Sequence, residues 1–135
     1  MKDSLAIGVT TTRKFTIDRE RTIGFMGDEG RVYSTPSMVR DIEYTCHELL
    51  MEHVDDGENS VGTHVSIDHI GATVEGDEVE VSITITAVEG RAISFEATVK
   101  DSIEDVGRGI HNRFVVDVKK THERLTEKRK KVMGS

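Results

Sequence analysis

The segment Ser34–Val54, STPSMVRDIEYTCHELLMEHV, constrains this chain more than any other stretch. Its apolar residues Met38, Val39, Ile42, Cys46, Leu49 and Leu50 recur at three- and four-residue spacing. At about 100° per residue that spacing gathers them into one arc of roughly 120°. A stripe of this width must be buried, so one long helix is the element around which the rest is built. Arg40, Asp41, Tyr44, Glu48 and Glu52 fall on the opposite, polar arc. Glu43 lies on the margin, about 20° beyond Leu50, where a charge without a purpose is costly. Thr35 followed by Pro36 reads as the helix entry, because Pro at the first turn gives up an amide that has no partner there. The run Asp55-Asp56-Gly57 reads as its stop.

With 135 residues and 36% hydrophobic content, the chain can build one core, and a single domain over 1–135 is expected. One Cys, one Pro and no long apolar run argue against a disulfide framework and a membrane span. The opening MKDSLAIGV is too short and polar for a secretory signal, so a cytoplasmic protein is expected. A net charge of −7 disfavours nucleic acid as a partner, since phosphate binding needs a basic surface. The exception is Lys119–Lys131, with seven bases and two acids, which leaves 11 bases against 23 acids elsewhere. This segment, within a terminal stretch 119–135, reads as a solvated basic helix, or as one lying near a phosphorylated ligand.

Val9–Ile17 is rich in β-branched residues and reads as a first strand. Asp18–Tyr33 carries Gly24, Gly27 and Gly30 without a clean period and reads as a loop with room for one helical turn. Beyond the helix come four strand-like runs: Ser60–Ala72, Glu78–Val88, Arg91–Lys100 and Val106–Val118. In the second of these, Val79, Val81, Ile83 and Ile85 share a face; in the third, Ile93, Phe95, Ala97 and Val99 do. Glu89-Gly90 makes a tight hairpin, and Gly76-Asp77 and Ser102–Asp105 close the other turns. One strand, a buried helix and four antiparallel strands make an α+β chain, a sheet of about five strands wrapped on a helix, which is the pattern of the hot-dog fold. One helix covers only one side of such a sheet, so a homodimer is expected.

The period of two places His69 with Val65 and Ile67 on the apolar face of its strand, and His64 with Ser66 and Asp68 on the other. Glu43, on the rim of the helix packed over that face, is placed where it could meet His69 and hold the imidazole in one tautomer. In the last strand Ile110, Asn112, Phe114 and Val116 form one face, and Arg113 falls on the other with His111. Either Gly107 and Gly109 mark a bulge that re-aims Arg113, or it reaches a ligand phosphate from outside or from a second subunit. Cys46 reads as a small core residue, and the six His show no metal-ligand spacing.

Thr35, Glu43, Gly62-Thr63, His69 and Arg113 in GIHNR together resemble the fluoroacetyl-CoA thioesterase family of hot-dog proteins. SLAIG, EVEVSITITAVEGR and IEDVGRGIHNR extend the resemblance over most of the chain. It implies hydrolysis of an acyl-CoA thioester, with Thr35, Glu43 and His69 as catalytic residues and Gly62 and Arg113 as substrate contacts. It implies no cofactor beyond the coenzyme A of the substrate. The residue types suit this chemistry, because a thioester carbonyl is electrophilic, and a hydroxyl or a water needs a base such as His, near its ordinary pKa of about 6.5. Glu43 would orient His69, or act itself as nucleophile or as base toward water. Read from the residues alone, Thr35 also serves as a helix cap, Glu43 as a helix-margin ion pair, and Gly62 as a bulge or strand entry.

Two departures from the family bear on substrate. The connection Asp18–Ser34 is short and Gly-rich where the family has a longer Phe- and Pro-rich lid, which argues against fluoroacetyl selectivity. Pro36 removes one amide that would polarise a carbonyl, leaving those of Ser37 and Met38 as the expected donors. A short- or medium-chain acyl-CoA thioesterase is the leading expectation. A hot-dog module that binds acyl-CoA without turnover, and an enoyl-CoA hydratase or dehydratase on the same fold, are the alternatives.

Overall fold

The computed structural model describes residues 1–134. Strand β1 (Thr10–Thr16) is followed by the short strands β2 (Thr22–Ile23) and β3 (Val32–Tyr33), then helix α1 (Thr35–Met51). Strands β4 (Glu58–His69), β5 (Glu78–Glu89), β6 (Ala92–Lys100) and β7 (Asp105–Asp117) follow, and helix α2 (Val118–Val132) ends the chain. Five strands form one antiparallel sheet in the order β1-β5-β6-β7-β4, which leaves β1 and β4 as its edges. The connection before α1 is more ordered than a loop with one turn. It holds two 3-10 turns, Arg19–Arg21 and Asp28–Gly30, and the β2–β3 ladder.

Alternation fixes the core as the sequence predicts. Val79, Val81, Ile83, Ile85, Ile93, Phe95, Ala97 and Val99 are all buried against α1, which contributes Met38, Ile42, Cys46, Leu49 and Leu50. Each large side chain among them gains roughly 1.5–3 kcal/mol on leaving water, so these two strands and one helix face carry most of the driving force. Val39 is only half buried. Asp41, predicted for the polar arc, is fully buried, because the connection folds over that flank of α1 and meets it with Arg21 and Tyr33.

Helix α1 stops at Met51, earlier than expected; Gly57, at φ +85°, instead turns the chain into β4. Its N-cap is Ser34, whose hydroxyl oxygen accepts from the Ser37 amide at 3.2 Å. Thr35, read from sequence as a possible cap, is thereby left free for another partner. Helix α2 buries no residue, in keeping with a solvated basic helix.

Candidate functional site

Helix α1 and strand β4 run in opposite directions, so each point along the helix faces a different point of the strand. At the helix mouth Thr35 Oγ1 lies 2.8 Å from His69 Nδ1. Two turns further on, Glu43 faces Gly62; near the far end, His47 Nε2 reaches Asn59 Oδ1 at 2.8 Å. The five residues picked from sequence therefore fall into two groups. Thr35 and Glu43 are separated by eight residues, about 12 Å of helix, and His69 and Gly62 by about 23 Å of strand. Within one protomer Glu43 does not hydrogen-bond His69; its ion-pair partner is Arg113, Oε2 to Nη1 at 3.6 Å.

A bulge makes the second group possible. The β4–β7 register shifts between Gly62 and His64, so Ser60 and Gly62 before the bulge face the helix side together with Val65, Ile67 and His69 after it. Gly62 is needed for the approach of Glu43: a Cβ there would lie 2.7 Å from Glu43 Oε2, 3.3 Å from His111 Cε1 and 3.5 Å from Arg113 Nη1.

On β7 the buried face carries His111, Arg113 and Val115, while Ile110 and Phe114 are exposed. Arg113 thus points inward through plain strand alternation and needs no bulge in its own strand to do so. Arg113 is 5% exposed, and its guanidinium donates from Nε to Ser60 Oγ (2.8 Å), from Nη2 to the Ser60 carbonyl (3.0 Å) and from Nη1 to His111 Nε2 (3.2 Å). His111 Nδ1 donates to the His64 carbonyl at 2.8 Å, and its ring stacks on Phe95 at 6.4 Å and 25°. Burial, reinforced by the nearby Arg113 charge, pushes the His111 imidazole below its ordinary pKa, although the His64 hydrogen bond and the Glu43 carboxylate oppose this. His111 is the neutral acceptor that lets a buried arginine sit beside Glu43.

The helix mouth is built differently. Thr35 is exposed and borders a groove of about 650 Å³ whose walls include Ile23, Phe25, Val32, Pro36 and Ile70. His69 stands behind it, half buried, with Nε2 enclosed and lacking a hydrogen-bond partner among the described residues. Burial lowers the His69 pKa, offset in part by the Gly71 backbone, so the ring is neutral at neutral pH. The Ser37 and Met38 amides, expected to serve as donors, are occupied by the Ser34 hydroxyl and carbonyl, at 3.2 and 3.0 Å. With Pro36 lacking an N–H, the Thr35 amide is the helix-end donor left without a partner among the described residues.

Sequence reasoning missed Tyr33, whose ring meets His69, and Asp41 and Arg21, which hold Tyr33 from behind. Asp41 sat on the nominal polar arc and Arg21 in an aperiodic segment, so neither carried a signal. Cys46 lies in the core with its thiol pushed up to about 12 by burial, which fits a structural residue. Asp68 is exposed on the outer face, as expected.

A sequence-family profile described as fluoroacetyl-CoA-specific thioesterase matches residues 17–119. A fluoroacetyl-CoA thioesterase of Streptantibioticus cattleyicolor is 28% identical over 135 positions, spanning 95% of this chain and 97% of that protein. The solved structure of the fluoroacetyl-CoA thioesterase FlK superimposes with a TM-score of 0.84 at 27% identity, covering 93% of this chain and 98% of that one. A Thermus thermophilus member of the thioesterase superfamily reaches 0.90 at 18% identity, over 98% and 99% of the two chains. A hot-dog-like protein from Thermanaerovibrio acidaminovorans reaches 0.84 at 21% identity, over 90% and 91%.

Proposed function

The chain belongs to the fluoroacetyl-CoA-specific thioesterase family and has the hot-dog fold, and from that premise we propose that it hydrolyses a short- or medium-chain acyl-CoA to the acid and free coenzyme A, as a homodimer with shared active sites. The observation that carries the reading is the Thr35–His69 hydrogen bond at the mouth of an apolar groove that admits an acyl chain.

Glu43 supplies the missing carboxylate from a second copy. Strand β4 is a sheet edge with exposed Val61 and Val65, and a free edge of this kind favours strand pairing. Gly62 and His69 stand equally far from the midpoint between Val65 and Ser66. Antiparallel pairing about a two-fold axis there sets Gly62, and with it Glu43, opposite His69 and Thr35 of the second copy.

In such a site the thioester carbonyl oxygen accepts hydrogen bonds from the Thr35 hydroxyl and amide, with His69 holding the hydroxyl in line. Glu43 takes a proton from water as the oxygen bonds to the carbonyl carbon. The C–S bond then breaks, and the proton on Glu43 passes to the departing thiolate. Gly62 gives room for this geometry, and Arg113 supplies the positive charge beside Glu43. Arg113 is assigned to holding the carboxylate, since it is buried, ion-paired with Glu43, and donates to Ser60 and His111 from all three of its nitrogens.

Thiol release from a panel of acyl-CoAs, with acetyl-, fluoroacetyl- and longer acyl groups included, tests the proposal. Turnover of a short or medium acyl group that is lost in Glu43→Ala and in His69→Ala is expected. Inactivity on the whole panel, or undiminished activity in both variants, would overturn it.

A further inference from the structure

Asp41 is fully buried on α1, on a flank that the helix stripe alone would have left to solvent. Its Oδ2 accepts from Arg21 Nε at 3.0 Å and from the Tyr33 hydroxyl at 2.6 Å, and its Oδ1 accepts from Arg21 Nη2 at 3.2 Å. Arg21 also donates to Asp18 Oδ2 at 2.9 Å, and its guanidinium lies 5.1 Å over the Phe15 ring. Stability is a weak reason for such a cluster, because apolar residues of similar volume often replace a buried ion pair at no loss.

What the cluster does hold in place is one aromatic ring. Tyr33 is 1% exposed, its amide donates to the Thr73 carbonyl at 2.8 Å, and its hydroxyl is fixed by Asp41. The other side of that ring meets His69: the centroids are 6.1 Å apart and the planes cross at 71°. The side-chain partner of His69 is Thr35 at Nδ1, the Gly71 backbone acts on the ring only weakly, and Nε2 lacks a hydrogen-bond partner among the described residues. An imidazole held at one nitrogen can swing about that bond, and the Tyr33 ring is the wall that stops it.

We propose that Asp41 is a positioning residue for His69, acting through Tyr33, with Arg21 locking the carboxylate. The proposal rests on the role assigned above to Thr35 and His69. It makes the connection between β1 and α1 part of the reaction geometry, because Arg21 and Tyr33 both come from it.

The test compares Asp41→Leu, Asp41→Asn and Tyr33→Phe for kcat, KM, melting temperature and the imidazole nitrogen signals of His69 in the substrate-free protein. Asp41→Leu leaves the Arg21 guanidinium and the buried Tyr33 hydroxyl without this acceptor, so it is expected to melt below wild type. Assayed well below its own melting temperature, it is expected to lose on the order of 10- to 100-fold in kcat with KM nearly unchanged, as a misplacement of about 1 Å would cause. Asp41→Asn should recover most of that loss. Its one carbonyl oxygen can take the place of Oδ2, which already serves both Tyr33 and Arg21. Tyr33→Phe, which keeps the ring and drops the tether, should fall between them. The His69 signals should shift in Asp41→Leu and Tyr33→Phe, and stay close to wild type in Asp41→Asn.

Wild-type kcat and His69 signals in both Asp41→Leu and Tyr33→Phe would overturn the proposal. So would kcat falling only in step with melting temperature, with Asn no better than Leu. His69→Ala separates the two levels: full turnover in that variant removes the hydrolytic reading and this inference with it. Loss of turnover there, beside unperturbed Asp41 and Tyr33 variants, removes the positioning role alone.

Discussion

Gly62→Ala should separate activity from stability, and the structure gives the size of the effect. The added methyl would sit 2.7 Å from Glu43 Oε2, where ordinary contact begins at 3.4 Å, so the carboxylate must retreat by about 0.7 Å. It can do so at little energetic cost, because Glu43 is the 43% exposed end of a flexible side chain and no backbone atom is among the near contacts. The other two contacts, 3.3 Å to His111 Cε1 and 3.5 Å to Arg113 Nη1, need only a small adjustment. Ala also restricts the unfolded chain more than Gly does, a gain of about 0.4–1 kcal/mol that offsets the crowding. Stability should therefore change by less than about 1 kcal/mol, while a carboxylate moved by most of an ångström should lower kcat by about 10- to 100-fold. Urea unfolding and thiol release on the same preparation measure both. Wild-type kcat in a folded Gly62→Ala protein would refute the placing of Glu43 in the reaction, and a loss above about 3 kcal/mol would refute the claim that Glu43 yields freely.

Gly109→Ala is the counterpart: its methyl would fall 2.1 Å from the Ser66 carbonyl oxygen and 2.9 Å from Ile67 Cα, so β4 and β7 must part, and little soluble protein is expected on expression. Burial lowers the pKa of both His69 and His111, so the folded chain releases protons that the unfolded chain keeps. Their contribution is therefore complete above about pH 6.5 and is lost as pH falls through 6.5 toward the lowered values; unfolding free energy should drop between pH 7 and 5, less steeply in His111→Gln, and equal slopes would count against it. Cys46 should resist alkylation at pH 8 until denaturant is added, since it is buried and its thiol is pushed up to about 12; rapid labelling of native protein would contradict this. Inactive His69→Ala and Glu43→Ala chains, mixed equally and allowed to exchange subunits, should regain about a quarter of wild-type activity, because half the dimers then carry one intact site; no recovery after verified exchange would refute the shared site.

The faces of β5 and β6 could be read from sequence because Val79 to Ile85 and Ile93 to Val99 border nothing but core, so alternation of apolar and polar residues reports burial directly. The same alternation in β7 separated two faces correctly and misled as to which was inside. There the inner face borders Glu43, and His111 and Arg113 satisfy one another within it while Ile110 and Phe114 face outward. Hydropathy cannot rank a polar face whose donors find acceptors, and for the same reason Asp41 looked like a surface residue until Arg21 and Tyr33 reached it from the preceding connection. The candidate residues were legible as types and positions, but their grouping depended on which of them face each other across α1 and β4. Along one protomer those elements hold Thr35 with His69 and Glu43 with Gly62, two half-sites about 12 Å apart along the helix. The bulge at Thr63 matters here, because without it Gly62 and His69, seven positions apart, would point to opposite faces of β4. By turning both inward it lets a two-fold axis at the strand's midpoint join one half-site to the other, so the spacing that separates Glu43 from His69 within a chain is the spacing that would bring them together between two.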